Sequence, residues 1–201
     1  MEIIVELATL KDSSGIYNAL KGNLIEISDF DKIPKNVRKE LEEKGFLRKE
    51  VDEEYYKDLI KNEFCDIYVA KNKDGKILGF ASLHKNEFNV KNFRTTLENL
   101  NINDSEIKDL LTSESSKFVY LDQISILPEY KRKGIASKII SEALFNINYP
   151  VVAFIVEKPL ANKASALWHE HCGFELVGTC DGSYKGKKFE WKIYLNLNKE
   201  A

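Results

Sequence analysis

Residues 127–136, Leu-Pro-Glu-Tyr-Lys-Arg-Lys-Gly-Ile-Ala, have the residue types and spacing best suited to chemistry in this chain of 201 residues. An apolar, strand-like run at 118–126 leads into them, and an amphipathic helix follows. The first N–H groups of a helix lack intrahelical partners and carry partial positive charge, so such a turn suits a phosphate or pyrophosphate. Gly134 lets the backbone approach the anion, and three cations precede it, Lys131, Arg132 and Lys133. The alternative is a plain helix start with a solvated basic run, and the turn alone does not decide between the two.

A second pattern follows further along the chain. Residues 151–156 form a continuous apolar, β-branched run, which is typical of a strand buried on both faces. Asn162 then suits the N-cap of a helix of about three turns, and Gly173 suits its left-handed end. The basic turn itself matches neither the dinucleotide fingerprint nor the phosphate loop that needs Gly-Lys-Ser/Thr.

Together these two segments resemble the acetyl-CoA-binding half of the GNAT superfamily of N-acetyltransferases. The family fingerprint, Arg/Gln-x-x-Gly-x-Gly/Ala after the fourth strand, is similar to residues 131–136, and a strand, an Asn-capped helix and the pair Gly173-Phe174 follow as in the family. The resemblance covers about residues 118–180. Lys131 stands where the family prefers Arg or Gln, which keeps the positive charge but loses the planar fork.

The resemblance implies acetyl-CoA as co-substrate. Its pyrophosphate would lie at the turn, its pantetheine arm along the main chain of the fourth strand, and the side chain of Asn162 would reach the pantetheine end. The implied cofactor-binding residues are Ile124, Ser125, Ile126, Lys131, Arg132, Lys133, Gly134, Ile135, Ala136, Ser137 and Asn162.

An acetyl acceptor also places demands on the site. An amine attacks a thioester as the neutral base, but a free alkylamine has a pKa near ~10.4, so a group must remove its proton. Asp122 is the first candidate, since relatives that acetylate polyamines carry an acidic residue at the equivalent place, and Glu157 is the second. The alternatives are a base that acts through ordered water, an amine that arrives neutral, and an Asp122 that only pairs with a nearby cation. A backbone N–H near Ser125 and Ile126 is the candidate donor to the carbonyl oxygen.

His169 is the candidate acid toward the leaving thiolate. It lies seven residues after Asn162, where many relatives carry a Tyr in this role, and relatives resembling phosphinothricin acetyltransferases carry a His. An imidazole with an unperturbed pKa near ~6.5 is protonated in part at neutral pH. A neutral imidazole with an N–H toward the sulfur is a second way to donate. The alternative is a helix residue that only forms a hydrogen bond in place.

The elements that position these residues follow the order β-α-α-β-β-β-α-β-α-β-β, with Asp74-Gly75 as the turn of one hairpin. We therefore predict an α/β (α+β mixed) fold in one domain spanning 1–201, a GNAT-type mixed, partly splayed sheet of about seven strands flanked by helices. The predicted helices are 12–21, 35–43 and 52–63, and the predicted strands outside the motifs are 2–7, 66–70, 77–83, 174–179, 182–186 and 189–197.

Residues 85–117 exceed the minimal family core and form a predicted insertion between the third and fourth strands. They are rich in Asn, Lys, Ser and Thr, and Asp104 or Ser105 suits the cap of a short helix that ends at Leu111. The insertion is a surface loop without chemistry, a lid or wall over the acceptor pocket, or a contact in a homodimer, and the sequence does not decide which.

Composition narrows the class of protein. A hydrophobic content of 43% and a charged content of 31% are ordinary for a globular protein. The net charge of −2 gives no argument for a nucleic-acid or membrane partner, so none is expected. The three cysteines show neither metal-ligand spacing nor a disulfide framework, so we expect no metal site. No signal-like or membrane-length apolar run is visible, and the cysteines suit a reducing compartment, so we expect a cytoplasmic protein.

The expected function is transfer of an acetyl group from acetyl-CoA to a primary amine of a small molecule, by direct attack in a ternary complex. Acetylation of a protein N-terminus or lysine is the alternative within the same chemistry. A non-catalytic acetyl-CoA-binding module is the alternative from another class, and the acceptor itself lies beyond what a fold can name.

Overall fold

The computed structural model describes residues 2–25, 33–47, 51–85, 99–184 and 187–198. These residues form six α-helices and eight β-strands. The helices are α1 (Ser13–Lys21), α2 (Lys35–Lys44), α3 (Glu53–Lys61), α4 (Ser105–Thr112), α5 (Ile135–Asn146) and α6 (Lys163–His171). The strands are β1 (Ile3–Leu7), β2 (Cys65–Asn72), β3 (Ile77–Lys85), β4 (Leu100–Asn101), β5 (Val119–Ile126), β6 (Val151–Lys158), β7 (Glu175–Tyr184) and β8 (Lys187–Asn196).

The predicted mixed α/β fold is confirmed. The sheet has eight strands among the described residues, where about seven were predicted, because β4 lies inside the predicted insertion. The fourth and fifth strands of the sequence analysis are therefore β5 and β6. The chain divides into two compact units, the first formed by residues 1–26, 47–84 and 121–148 and the second by residues 27–46, 85–120 and 149–201.

The first unit holds β1, β2, β3 and most of β5, with β1 antiparallel to β2 and β2 antiparallel to β3. The predicted hairpin turn is confirmed, since Gly75 has a φ of +79° between β2 and β3. The side chain of Asn72 shapes this turn, because its Oδ1 accepts from the backbone N–H groups of Asp74 and Lys76.

Close contact between β3 and β5 requires a glycine at position 79. A Cβ atom there would lie 2.6 Å from the carbonyl oxygen of Ser125, a distance that side chains do not tolerate. The neighbouring N–H of Leu127 donates to the carbonyl of Leu78 at 2.8 Å. The end of β5, where the basic turn begins, is thereby packed directly against β3.

The second unit holds the start of β5 together with β6, β8, β7 and β4. Val119 and Tyr120 pair in parallel with Val151 and Val152 at the start of β6, and the other pairs are antiparallel. Two strands, 174–179 and 182–186, were predicted where the structure has the single strand β7. Its pairing with β8 continues on both sides of Gly182.

The second half of the predicted insertion belongs to the core of the second unit. Asp104 caps α4, its Oδ1 accepting from the N–H groups of Glu106 and Ile107 at 2.9 and 3.1 Å, which confirms the predicted helix. Buried Ile102 and Leu111 pack in one apolar cluster; its other buried members are Phe118, Val152, Cys180, Ile193 and Leu195. Residues 100–112 therefore pack on the core of the second unit and are not a bare surface loop, whereas a role over the acceptor pocket or in a homodimer stays a prediction. Residues 86–98 lie outside the described part of the chain.

Among the described residues, no helix combines the length and apolar character needed to cross a membrane.

Candidate active site

The basic turn joins β5 to α5 within the first unit. A short 3-10 turn at Pro128–Tyr130 leads to Arg132 and Gly134, whose φ angles of +62° and +75° lie in the left-handed region. The twelve-residue helix α5 starts directly afterwards, and its N-cap residue, Gly134, has no side chain with which to cap it. The first turn of such a helix suits an anion, and anion binding here stays a prediction.

The cations of the turn differ in how tightly they are held. Lys133 donates from Nζ to the carbonyl oxygen of Glu129 at 3.0 Å and lies 4.9 Å from the ring centroid of Tyr130. Lys76 lies over the same ring at 5.1 Å, so two ammonium groups flank one aromatic side chain. Arg132 is exposed. The turn therefore combines a fixed cationic group with an exposed guanidinium.

The end of β5 is held by a residue that the sequence analysis missed. Asn23 follows α1, and its Nδ2 donates to the Oγ of Ser125 at 2.8 Å and to the carbonyl of Ile126 at 2.7 Å. The Oγ of Ser125 donates in turn to the carbonyl of Ala19 at 2.7 Å. The carbonyl of Ile126, expected to bind pantetheine, is thus already in one hydrogen bond, whereas Ile124 is partly exposed. Binding of the arm along Ile124–Ile126 stays a prediction.

The first candidate base has a buried histidine beside it. The Nε2 of His84 on β3 lies 3.4 Å from the Oδ2 of Asp122 on β5, and the two side chains are 5% and 12% exposed. His84 was not singled out from the sequence, where the predicted strand ended one residue earlier. The sequence did contain a sign of it, because His84 is a titratable residue directly after a largely apolar predicted strand.

Other polar side chains lie on the same two strands. The hydroxyl of Tyr56 on α3 donates to the Oε1 of Gln123 at 2.6 Å. Burial, then the neighbouring Tyr55 and the charge of Asp122, raise the pKa of Tyr56, which remains a neutral phenol. Within the described residues, the buried Nε2 of Gln123 and Oγ of Ser82 have no hydrogen-bond partner. Buried polar atoms of this kind need a water or a ligand to satisfy them.

Asn162 lies in the second unit and caps α6 as predicted. Its Oδ1 accepts from the N–H of Ser165 at 3.3 Å, and its Nδ2 donates to the carbonyl of Phe46 at 2.9 Å. The cap is confirmed, and contact with the cofactor stays a prediction. Gly173 ends the helix with a φ of +80°, also as predicted.

His169 lies on α6 and is 1% exposed. Its Nδ1 lies 2.7 Å from the carbonyl oxygen of Ser165, and because a carbonyl can only accept, Nδ1 carries the proton. Burial lowers the pKa of His169 to about 4, although the bond to Ser165 opposes the shift. The expectation of a partly protonated His169 at neutral pH is therefore wrong, since an imidazole buried against Trp168, Phe174 and Tyr194 cannot be hydrated as a cation.

Glu157, the second candidate base, is paired. Its Oε2 lies 3.0 Å from the Nζ of Lys192 on the adjacent strand β8, and both side chains are partly exposed. The site residues thus fall into two sets. Asp122, residues 124–126 and residues 131–137 lie on one strand-turn-helix segment of the first unit, whereas Glu157, Asn162 and His169 lie in the second.

A model of the family described as "Acetyltransferase (GNAT) family" matches residues 34–174. A comparison with curated protein sequences finds no significant match.

Solved structures share the fold at low sequence identity. The chain is similar to Arabidopsis thaliana NAA60 in complex with acetyl-CoA, with 16% identity and a TM-score of 0.61 over 98% of this chain and 99% of that one. It is similar to the ribosomal-protein-S18-alanine N-acetyltransferase from Escherichia coli, with 12% identity and a TM-score of 0.60 over 100% and 96%. It is also similar to the spermidine/spermine N-acetyltransferase SpeG from Vibrio cholerae, with 19% identity and a TM-score of 0.55 over 98% and 95%.

Proposed function

The chain belongs to the GNAT family of acetyltransferases, and from that premise we propose that it acetylates a primary amine of a small molecule by direct attack within a ternary complex. The protein is an acyltransferase, and acetyl-CoA is its co-substrate. The acceptor class and the roles of individual residues are the proposal.

The observation that carries the proposal is the nearly buried carboxylate of Asp122, on the strand that runs directly into the basic turn. An incoming ammonium group gives one proton to Asp122, and the neutral amine then attacks the thioester carbonyl. The C–N bond forms, the C–S bond breaks, and the second amine proton leaves with the thiolate or to solvent. General base catalysis of this kind contributes about 10²–10⁴ in rate.

The cofactor is held in this proposal mainly by backbone groups. The pyrophosphate binds at the N–H groups of the first turn of α5. The side chains of Lys131, Arg132 and Lys133 add positive charge around it. The pantetheine arm follows β5 at Ile124, and a main-chain N–H at Ser125 or Ile126 donates to the oxyanion. Loss of one such donor costs on the order of 10²–10³ in rate.

Protonation of the leaving thiolate is helpful but not required. His169 is neutral, and its Nδ1–H is already donated to Ser165, so His169 can contribute only after that bond is rearranged. Glu157 serves as a second base in the proposal only if an acceptor displaces Lys192 from it.

A small acceptor suits the burial of Asp122. A free alkylamine can bring its terminal nitrogen to a carboxylate that is only 12% exposed, whereas a protein can do so only through a lysine side chain or N-terminus that extends clear of its folded surface. Among the similar structures, the spermidine/spermine N-acetyltransferase is named for small amines and the ribosomal-protein-S18-alanine N-acetyltransferase for a protein. The burial favours the first class.

Free thiols bear on the compartment. No disulfide links Cys65, Cys172 and Cys180, which all lie in the described part of the chain. Cysteines that form no disulfide suit a reducing environment, and on that ground we propose a cytoplasmic location.

Isothermal titration with acetyl-CoA is the first test, with desulfo-CoA and ATP as controls. Initial rates with alkylamines, polyamines, amino acids and peptides of free N-terminus then define the acceptor class. Asp122→Asn is expected to lower kcat/KM for the amine about 100-fold or more while acetyl-CoA affinity is retained. Asp58→Asn, an exposed residue of α3, is the matched control.

Each contrary result has a distinct meaning. Preferential acetylation of peptides would assign the protein-acetylating alternative. Binding of acetyl-CoA without turnover of any amine would assign the non-catalytic module. Full activity of the Asp122→Asn variant would remove Asp122 as the base.

A further inference from the structure

We propose that His84 is the positioning residue of the candidate base, and that it orients the carboxylate of Asp122 by donating its Nε2–H to Oδ2. This inference rests on the proposed function, in which Asp122 accepts the proton of the amine. It adds a residue on a different strand and gives it a defined task.

The contact joins two neighbouring strands of the first unit. His84 stands near the end of β3 and Asp122 within β5, and 3.4 Å separates Nε2 from Oδ2. This separation is longer than a formed N–H···O hydrogen bond, but hydrogen bonds of catalytic groups are often long before substrate binds and tighten in the complex.

Both side chains have little exposure, and Asp122 is the more exposed of the two, at 12% against 5% for His84. In the proposal the amine therefore meets the carboxylate and not the imidazole. His84 therefore acts through Asp122. In this proposal the histidine orients the aspartate that takes the proton, whereas in hydrolytic triads the aspartate orients the histidine.

Both side chains are held within the sheet of the first unit. Cys65 is the residue directly opposite His84 in the pairing of β2 with β3, so its side chain lies on the same face of the sheet. Gln123, next to Asp122 on β5, points to the opposite face, where it accepts from the hydroxyl of Tyr56. A nearly buried carboxylate is costly unless hydrogen bonds satisfy it, and the imidazole of His84 lies where its N–H can supply one.

Proton balance is simple in this arrangement. The ammonium group loses one proton to Oδ1 of Asp122 before attack, and the Nε2–H of His84 stays on the imidazole throughout. The proton on Asp122 returns to solvent after the acetylated product leaves, so no further reactant is needed.

Two variants separate this role from a purely structural one. His84→Phe keeps a planar ring but removes the donor, and His84→Gln places an amide N–H near the position of Nε2. With n-butylamine as the acceptor probe, we expect His84→Phe to lower kcat/KM roughly 10- to 100-fold and His84→Gln to recover most of the loss. Acetyl-CoA affinity is expected to stay within twofold in both, as in the control His171→Phe, an exposed site on α6.

A spectroscopic measurement on the resting protein needs no acceptor. In ¹⁵N-labelled protein, the Nε2–H proton of His84 is expected downfield and slow to exchange, and to move upfield in Asp122→Asn. The His84→Gln variant assigns the signal. An unchanged signal in Asp122→Asn would overturn the proposal.

The kinetic arm also has a decisive contrary outcome. Equal loss in His84→Phe and His84→Gln would show that the ring shape matters and not the donor, and no loss in His84→Phe would show that His84 does not act on Asp122. If the wild type acetylates no amine at all, the proposed function fails, whereas the signal of the resting protein still decides whether His84 donates to Asp122.

Discussion

The side-chain amide nitrogen of Asn23 lies 2.7 Å from the carbonyl oxygen of Ile126, the last residue of β5. The same nitrogen lies 2.8 Å from the Oγ of Ser125. Next to it, a Cβ atom at Gly22 would lie 2.8 Å from the ring of Pro128, so the end of α1 is packed against the first residues of the basic turn. Asn23, which follows the C-cap Gly22 of α1, thus holds the last two residues of β5 in place where the strand meets the turn.

Replacement of Asn23 tests this support. Asn23→Ala leaves the Oγ of Ser125 and the carbonyl of Ile126 without their donor, which is expected to lower the free energy of unfolding by about 2–3 kcal/mol. Acetyl-CoA affinity is expected to fall several-fold because the turn is no longer held. Urea unfolding and calorimetric titration measure the two effects, with Asn18→Ala on the exposed face of α1 as control. Loss of stability with unchanged affinity would separate Asn23 from the turn.

Gly134 and Gly75 form a matched pair for testing the anion site. Both have left-handed φ angles, +75° and +79°, and a Cβ atom would meet no neighbour within 4 Å at either position. Alanine at either site therefore costs similar backbone strain, about 1–2 kcal/mol. Only Gly134→Ala is expected to weaken acetyl-CoA binding, because only Gly134 opens α5. Equal affinities of the two variants, measured by titration, would contradict the site.

Charge at the turn is tested by salt. Arg132→Gln is expected to weaken acetyl-CoA binding about threefold or more at low ionic strength, and less at 0.5 M salt because mobile ions screen exposed charges. Lys133→Gln is expected to disturb the conformation of the turn more than Arg132→Gln does, since Lys133 donates to the carbonyl of Glu129 and lies over the ring of Tyr130. Lys73→Gln removes an equal charge from an exposed turn and serves as the control. Titrations at two salt concentrations give the comparison, and equal salt dependence in all variants would exclude a role for these side chains.

His169 predicts a pH dependence of stability. Its pKa is about 4 in the folded chain and near ~6.5 in an unfolded chain, so the unfolded chain takes up the proton first as pH falls. The folded state is therefore fully favoured above pH ~6.5 and loses roughly 3 kcal/mol as pH falls to about 4.

His169→Asn is expected to remove most of this slope, since an asparagine amide can still donate to Ser165 but does not titrate. His171→Asn changes an exposed histidine two residues later and should leave the slope intact. Urea midpoints between pH 4 and pH 7 provide the measurement. A slope that persists in His169→Asn would assign the acid sensitivity to other groups.

Local features were predictable because neighbouring residues decide them. Asn162 and Asp104 cap their helices, Gly173 and Gly75 occupy left-handed positions, and each depends on bonds within a few residues of sequence. The insertion was described from its Asn, Lys, Ser and Thr residues, and its burial was not predicted, because Leu111 becomes part of the core only when β7 and β8 pack against it.

The sequence by itself determined the family, the strand-turn-helix that carries the basic turn, and Asp122 as the candidate base. The tertiary structure alone decided which groups surround them. Asn23 and Ile126 are separated by 103 positions, and Tyr56 and Gln123 by 67, so no local pattern links them. The charge state of His169 was likewise settled by burial and not by its place in a motif. Caps and turns depend on short-range backbone geometry, whereas desolvation and long-range hydrogen bonds exist only once the chain has closed around a side chain.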